Sequence, residues 1–214
     1  MLITMSFRPI SLLAHGLMVM ALGLLFGPHA VATTVVPPEF SELAGRSDYV
    51  VRGRVLATHP EWRIKGNSRR IFTRVEVEVL EVIAGQPPPQ LVLECLGGRV
   101  GDEELVVDGS PVFVVGQESI LFVSGNGRAF CPLYAMNYGF YPVQEEPATK
   151  RRFVARGNQV PLENVAEVAQ PLLEGEDAAA QRQTKLSSRA LTPEEFVQEI
   201  KLVARANPSR ATSN

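Results

Sequence analysis

Few residues of this chain combine in a spacing that supports chemistry. The richest group lies between His59 and Arg70, where Trp62 stands with Arg63, Lys65, Arg69 and Arg70 around Gly66-Asn67. An indole among guanidinium groups offers a stacking surface and charge for an anionic partner, which makes Trp62, Arg63, Arg69 and Arg70 the candidate binding residues. The competing reading is a loop tip that is merely solvated. Gly97-Gly98-Arg99-Val100-Gly101 is either an anion nest of backbone N–H groups or a turn that needs positive φ. Asp102, Glu103, Glu104 and Asp108 carry oxygens suited to a hard cation, but their spacing matches no calcium loop, so the expectation is an acidic edge and no metal. Asp102, Glu118 and Tyr138 are the groups from which a non-standard hydrolytic site would be built.

Other chemistry is excluded more firmly. The sequence contains no H-E-x-x-H, G-x-S-x-G, C-x-x-C or G-K-[ST]. Beyond residue 32 the only histidine is His59, too few for a histidine metal site or a Ser-His-Asp triad. Neither a catalytic residue nor a cofactor is therefore assigned. Cys95 and Cys131 are the only cysteines. In an oxidising compartment such a pair tends to be joined, and a bridge over that separation is worth roughly 3 to 4 kcal/mol in chain-entropy terms. Two buried free thiols acting as small hydrophobes are the alternative.

The elements that would hold these residues read as short strands. Tyr49, Val51, Gly53, Val55 and Ala57 alternate with Arg52 and Arg54, a half-buried strand in which Gly53 marks a bend or close backbone approach. Ile71, Thr73, Val75, Val77 and Val79 alternate with Arg74, Glu76 and Glu78, then Leu80 and Val82 take over the apolar phase. One extra residue near Val79-Leu80 produces that slip, a β-bulge of the kind that coils a long strand. Antiparallel pairing of 49–57 with 71–83 follows. Leu91 to Leu96, Leu105 to Val107, Val112 to Val115, Ser119 to Val123, Cys131 to Met136 and Gly139 to Val143 complete the set, with Ile120 to Val123 reading as a central strand covered on both faces. A hairpin through Gly157 is expected over 152–160. The spacing predicts a mainly β fold: a small antiparallel barrel over 33–160, a short N-terminal helix from Pro38 to Ala44, and a C-terminal helix.

Residues 161–190 read as a helix, 163–173, followed by a polar, Ala/Gln-rich flexible linker. Thr192-Pro193-Glu194-Glu195 is an N-cap, a first-turn proline and first-turn acids, and Phe196, Ile200 and Val203 form one stripe, so 191–206 is an amphipathic helix that docks by that stripe. Residues 207–214 read as a disordered tail.

The first 32 residues have the form of an export signal: Arg8, an apolar stretch from Ile10 to Phe26, and Ala30-Val31-Ala32 as the cleavage site. Cleavage after Ala32 would place the protein in the periplasm or outside the cell, with no stable membrane insertion. Loss of Arg8 takes the formal net charge from −2 to −3, which supplies no bulk attraction for nucleic acid. With 45% hydrophobic and 21% charged residues the composition is that of an ordinary globular chain.

Ser47-Asp48-Tyr49-Val50-Val51-Arg52-Gly53-Arg54-Val55, the Gly97-Gly98 loop, Gly109-Ser110-Pro111-Val112-Phe113 and Gly116-Gln117-Glu118-Ser119-Ile120-Leu121-Phe122 together resemble a family of exported bacterial proteins without an established activity. Gly116-Gln117 stands where that family usually has Gly-Glu. The resemblance covers about 38–143 and implies a small barrel similar to the oligonucleotide/oligosaccharide-binding fold and to netrin-like (TIMP-like) domains. Three function classes follow. The leading one is a non-enzymatic exported binding or scaffold module of the cell envelope, whose partner is a protein or another envelope component. The second is a partner or inhibitor of an exported protease, although the N-terminal cysteine used by netrin-like metalloprotease inhibitors has no counterpart at Thr33-Thr34. The third is the carboxylate hydrolase.

Overall fold

A computed structural model describes residues 35–65 and 68–206. The expected leader with its cleavage after Ala32, and the tail 207–214, lie outside the described residues. The chain runs α1 (Phe40–Arg46), β1 (Tyr49–Lys65), β2 (Ser68–Gly85), β3 (Leu91–Leu96), β4 (Gly98–Val100), β5 (Glu103–Leu105), β6 (Glu118–Val123), β7 (Phe140–Glu145), β8 (Arg152–Val154), α2 (Gly175–Thr184) and α3 (Pro193–Ala206), with short 3-10 turns at Met136–Gly139, Val165–Ala169 and Ser187–Arg189. The fold is mainly β. Six antiparallel strands form one sheet in the order β3-β2-β1-β6-β7-β8, and β4-β5 is a separate hairpin.

The sheet is open, which corrects the expected barrel. Its end strands β3 and β8 do not pair. The free side of β3 is covered instead by a loop: Asn126 accepts from the Glu94 N–H at 3.1 Å and donates to the Val92 carbonyl at 2.8 Å, and the Leu96 N–H donates to the Phe130 carbonyl at 2.7 Å. A loop that satisfies an edge in this way leaves no ladder for a closing strand.

β1 and β2 pair along their whole length, from Tyr49 with Gly85 to Lys65 with Ser68. The register jumps three times. Arg52 faces Glu81 while Gly53 faces Val79, so Leu80 is the extra residue that the hydrophobic phase slip requires. Ile83 and Leu56 are extra in the same sense. Each bulge twists the ribbon and changes which side chains point inward. At Gly53 a Cβ would meet Val77 Cγ1 at 2.5 Å and the Glu78 carbonyl at 3.0 Å, the close approach that excludes a side chain there.

Both faces of the sheet are buried at its centre. On one face Val50, Ile120, Phe122, Tyr141 and Val154 pack with Phe40 and Leu43 of α1 and Phe196, Val197 and Ile200 of α3. On the other, Val51, Val55, Val75, Leu93 and Leu121 pack with Cys131, Leu133 and Phe140. Ile120 through Val123 are at most 1% exposed, as an unalternated apolar strand must be.

Four further expectations differ from what forms. Val112 to Val115 is extended without a ladder and Cys131 to Met136 makes only the single bridge Val123–Leu133. The polar stretch 175–184 is a helix, not a flexible linker, because Ala178 is buried, Arg182 donates to the Asn158 carbonyl at 2.8 Å and Lys185 binds Glu167. Conversely, 163–173 contains only the 3-10 turn.

The C-terminal helix starts as its sequence requires. The Thr192 hydroxyl accepts the Glu195 N–H at 3.2 Å while the Glu195 carboxylate accepts the Thr192 N–H at 2.8 Å, a reciprocal capping box. The Phe196 ring centroid lies 4.9 Å from that of Tyr141, 5.8 Å from Phe40 and 6.2 Å from Phe122. Phe196→Ala empties the middle of this group and should destabilise the protein by about 3 to 5 kcal/mol. Urea unfolding would register it as a lower midpoint at unchanged m.

Candidate functional site

The long ribbon carries the candidate residues away from both cores. Past the Leu56 bulge, Thr58, Pro60, Trp62 and Ile64 share a face with Val75, Thr73, Ile71 and Arg69, while Ala57, His59, Glu61 and Arg63 share the other with Glu76, Arg74, Phe72 and Arg70. The four residues singled out by sequence are thereby split. Arg69 lies over the Trp62 ring, 4.1 Å from its centroid. Arg63, on the opposite face, is bound to Glu61 at 2.6 Å and Glu94 at 3.0 Å and sits over Phe72. The hydrogen bonds that Arg63 donates to those carboxylates, Glu61 first, raise its pKa. Arg63 is thus a structural ion-pair partner, and of the four candidates only Trp62 and Arg69 are stacked together.

A cavity of about 250 Å³ lies beside that pair, lined by Trp62, Arg69, Arg70, Ile71, Leu96, Glu103, Glu104 and Leu105. The β4-β5 hairpin supplies its acidic side. This hairpin can lie flat on the ribbon because Gly98, at φ 131°, has no Cβ to collide with Thr73 and Pro60. The Gly97 N–H donates to the Ile71 carbonyl at 2.8 Å and the Thr73 hydroxyl donates to the Gly97 carbonyl at 2.7 Å. That N–H is taken, and Gly98–Val100 pair with β5, so the glycines here shape the entry to β4 and the tight turn at Gly101–Asp102.

The proposed hydrolytic set does not converge. Asp102 is exposed in the β4-β5 turn, the Tyr138 hydroxyl accepts the Leu172 N–H at 3.2 Å, and Glu118 is enclosed by arginines. The structure gathers no group of three or more His, Cys, Asp or Glu fit to hold a metal among the described residues. No helix among them is long and apolar enough to cross a membrane.

Sequence reading missed the densest charge cluster. Glu118 is approached by Arg52 at 3.5 Å, by Arg54 at 3.7 Å and by Arg152. Arg52 also reaches Glu194 of α3 at 2.9 Å, and Lys201 of α3 reaches Glu81 at 2.7 Å. Had the pairing of β1 with β2 and β6 been used to align charges, Arg54 with Glu78 and Glu118 would have been visible. Arg156 was missed as well. It is 2% exposed and its guanidinium donates to the carbonyls of Gln170 and Pro171. Burial lowers its pKa against the opposing pull of Tyr141, Tyr138 and Glu167.

Cys95 and Cys131 are buried in the same cluster and are free, in place of the expected disulfide. Burial raises both thiol pKa values. At Cys95 the neighbouring Cys131 adds to the rise, and at Cys131 a backbone hydrogen bond at Leu133 opposes it. They serve as small core hydrophobes.

Comparison with family models, with curated proteins and with solved structures returns no match.

Two measurements follow. Arg69→Ser should shift Trp62 emission to longer wavelength by admitting water to the indole face, whereas Arg63→Ser leaves emission in place. A thiol reagent should find no reactive cysteine in the native protein and two per chain after unfolding; none after unfolding would establish a bridge.

Proposed function

We propose that this protein is an exported, non-enzymatic binding module of the cell envelope, which recognises a protein or envelope component at the outer end of its long β ribbon. The observation that carries this reading is the Trp62–Arg69 stack beside a cavity whose other charged walls, Arg70, Glu103 and Glu104, have no ion-pair partner among the described residues. Elsewhere on the sheet the arginines of β1 are paired with glutamates, as at Arg52, Arg54 and Arg63. Charge left unpaired beside a half-buried aromatic ring is what a partner can use. The leader-like residues 1–32 support export, and the net charge of −3 after its loss argues against nucleic acid as partner.

The test is capture from envelope extract by the chain starting at Thr33. Wild type should retain a partner that Arg69→Ser/Arg70→Ser loses at least fivefold, with the loss growing as salt is lowered because exposed charge acts through a screened field. Equal capture by both would remove the ribbon tip as the binding surface.

A further inference from the structure

The second edge of β1 is used for only half its length. Tyr49 to Arg54 pair with β6, and Val55 exchanges backbone hydrogen bonds with Gly116 and Gln117 at 2.8 and 3.0 Å. Past the Leu56 bulge the chain leading into β6 diverges, and from Thr58 to Ile64 no strand lies on that side among the described residues. The Ile71 carbonyl points to the β3 side, where it accepts from Gly97. Its partner Trp62 must therefore point its own N–H and C=O away from β2, and so must Thr58 and Ile64. The two end strands of the six-stranded sheet are covered: β3 by Asn126 and Phe130, and β8 where the Val154 N–H donates to the Leu191 carbonyl and the Val154 carbonyl accepts the Leu162 N–H.

A cleft of about 390 Å³ meets the first part of this edge at Thr58 and Pro60 and extends over the sheet face across Thr73 and Val75 of β2 and Cys95 and Leu96 of β3. Pro60, Val75 and Leu96 lie on its inner side, and Leu105, Val112 and Phe113 on its outer side. Val106 and Val112 are 72% and 76% exposed on its lip. Leu96, Glu104 and Leu105 wall this cleft and the Trp62 cavity alike, so the two adjoin.

We propose that this groove binds an extended polypeptide segment of another protein, added as a strand to Thr58–Ile64, with apolar side chains in the cleft and an acidic residue on Arg69. The inference rests on the binding-module reading and names the occupant. A row of unpaired N–H and C=O groups recognises an extended backbone and little else. The alternating apolar lining suits side chains at every second position. Charge sets the polarity: Arg69 lies over Trp62 with no ion-pair carboxylate among the described residues, which leaves it for an anion. A second copy of the chain is a poor occupant, since two edges aligned about Pro60 would oppose two residues that lack N–H donors.

The probe is a synthetic peptide of alternating valine and threonine ending in two aspartates, about eight residues long to match an ordinary strand. Its controls are the same peptide ending in lysines and the same peptide N-methylated at alternate residues. Titration of the full chain from Thr33, followed by Trp62 emission, should show the aspartate peptide binding at least tenfold more tightly than either control. The amides of Thr58, Trp62 and Ile64 should exchange at least tenfold more slowly with it bound. Val112→Asp, on the exposed lip, should weaken binding at least fivefold without loss of fold. No binding, equal binding of the N-methylated peptide, tighter binding of the lysine peptide, or unprotected amides would each overturn the proposal. If the peptides fail while Arg69→Ser/Arg70→Ser still loses the envelope partner, the binding module stands and the extended occupant falls. If neither responds, both fall.

Discussion

The structure depends on one long strand that has to satisfy different neighbours along its length. β1 is a central strand from Tyr49 to Val55, between β2 and β6, and an edge strand from Thr58 to Ile64. A flat ribbon could not serve both halves, because residues two apart along a strand keep to one face. The bulges at Leu56, Leu80 and Ile83 resolve this by resetting phase and adding twist. The inner half therefore buries valines on both sides, and the outer half carries a half-buried Trp62 beneath the exposed Arg69 of β2.

The inner half is fixed to the helices by two kinds of force. Apolar burial around Phe196 brings α3 onto the sheet, a non-directional attraction that tolerates sliding. Arg52 to Glu194 and Lys201 to Glu81 act where that burial ends, and they select one placement of the helix along the sheet. Exposed ion pairs add little stability, commonly below about 1 kcal/mol each. Their role in this network is register, with Glu118 as the hub that three arginines share.

Much of the fold was legible because burial leaves a periodic trace. The β1-β2 pairing, the extra residue at Leu80, the two-sided burial of β6 and the cap of α3 each follow from local pattern. What stayed hidden was non-local. Whether a sheet closes is decided by what covers β3, here the Asn126 side chain, and no periodicity records that. The helix at 175–184 has a polar composition and is held by Ala178, Arg182 and the neighbouring Lys185, three contacts with partners far off in sequence. The candidate site was half legible. Its residue types were visible, but a polar stretch without apolar alternation gives no sign that 58–65 and 68–72 pair as strands, and it is that pairing which puts Trp62 on one face with Arg69 and Arg63 on the other.

The placement of the site follows from the same division of labour. Residues that recognise a partner must expose aromatic and charged groups, which costs stability when done next to a core. Out on the ribbon, Trp62, Arg69 and the edge from Thr58 to Ile64 belong to neither buried cluster. Sequence change there is therefore nearly independent of the packing that holds β6, α1 and α3, because distant sites with no shared contacts contribute additively. An unpaired edge is also an aggregation hazard in a free chain. Pro60 in the middle of that edge, with exposed charge at Arg69 and Arg70 nearer the ribbon tip, limits pairing between copies while leaving enough of the ladder for a matched segment. The ribbon thus combines a rigid base, which the two cores supply, with a tip whose specificity can vary.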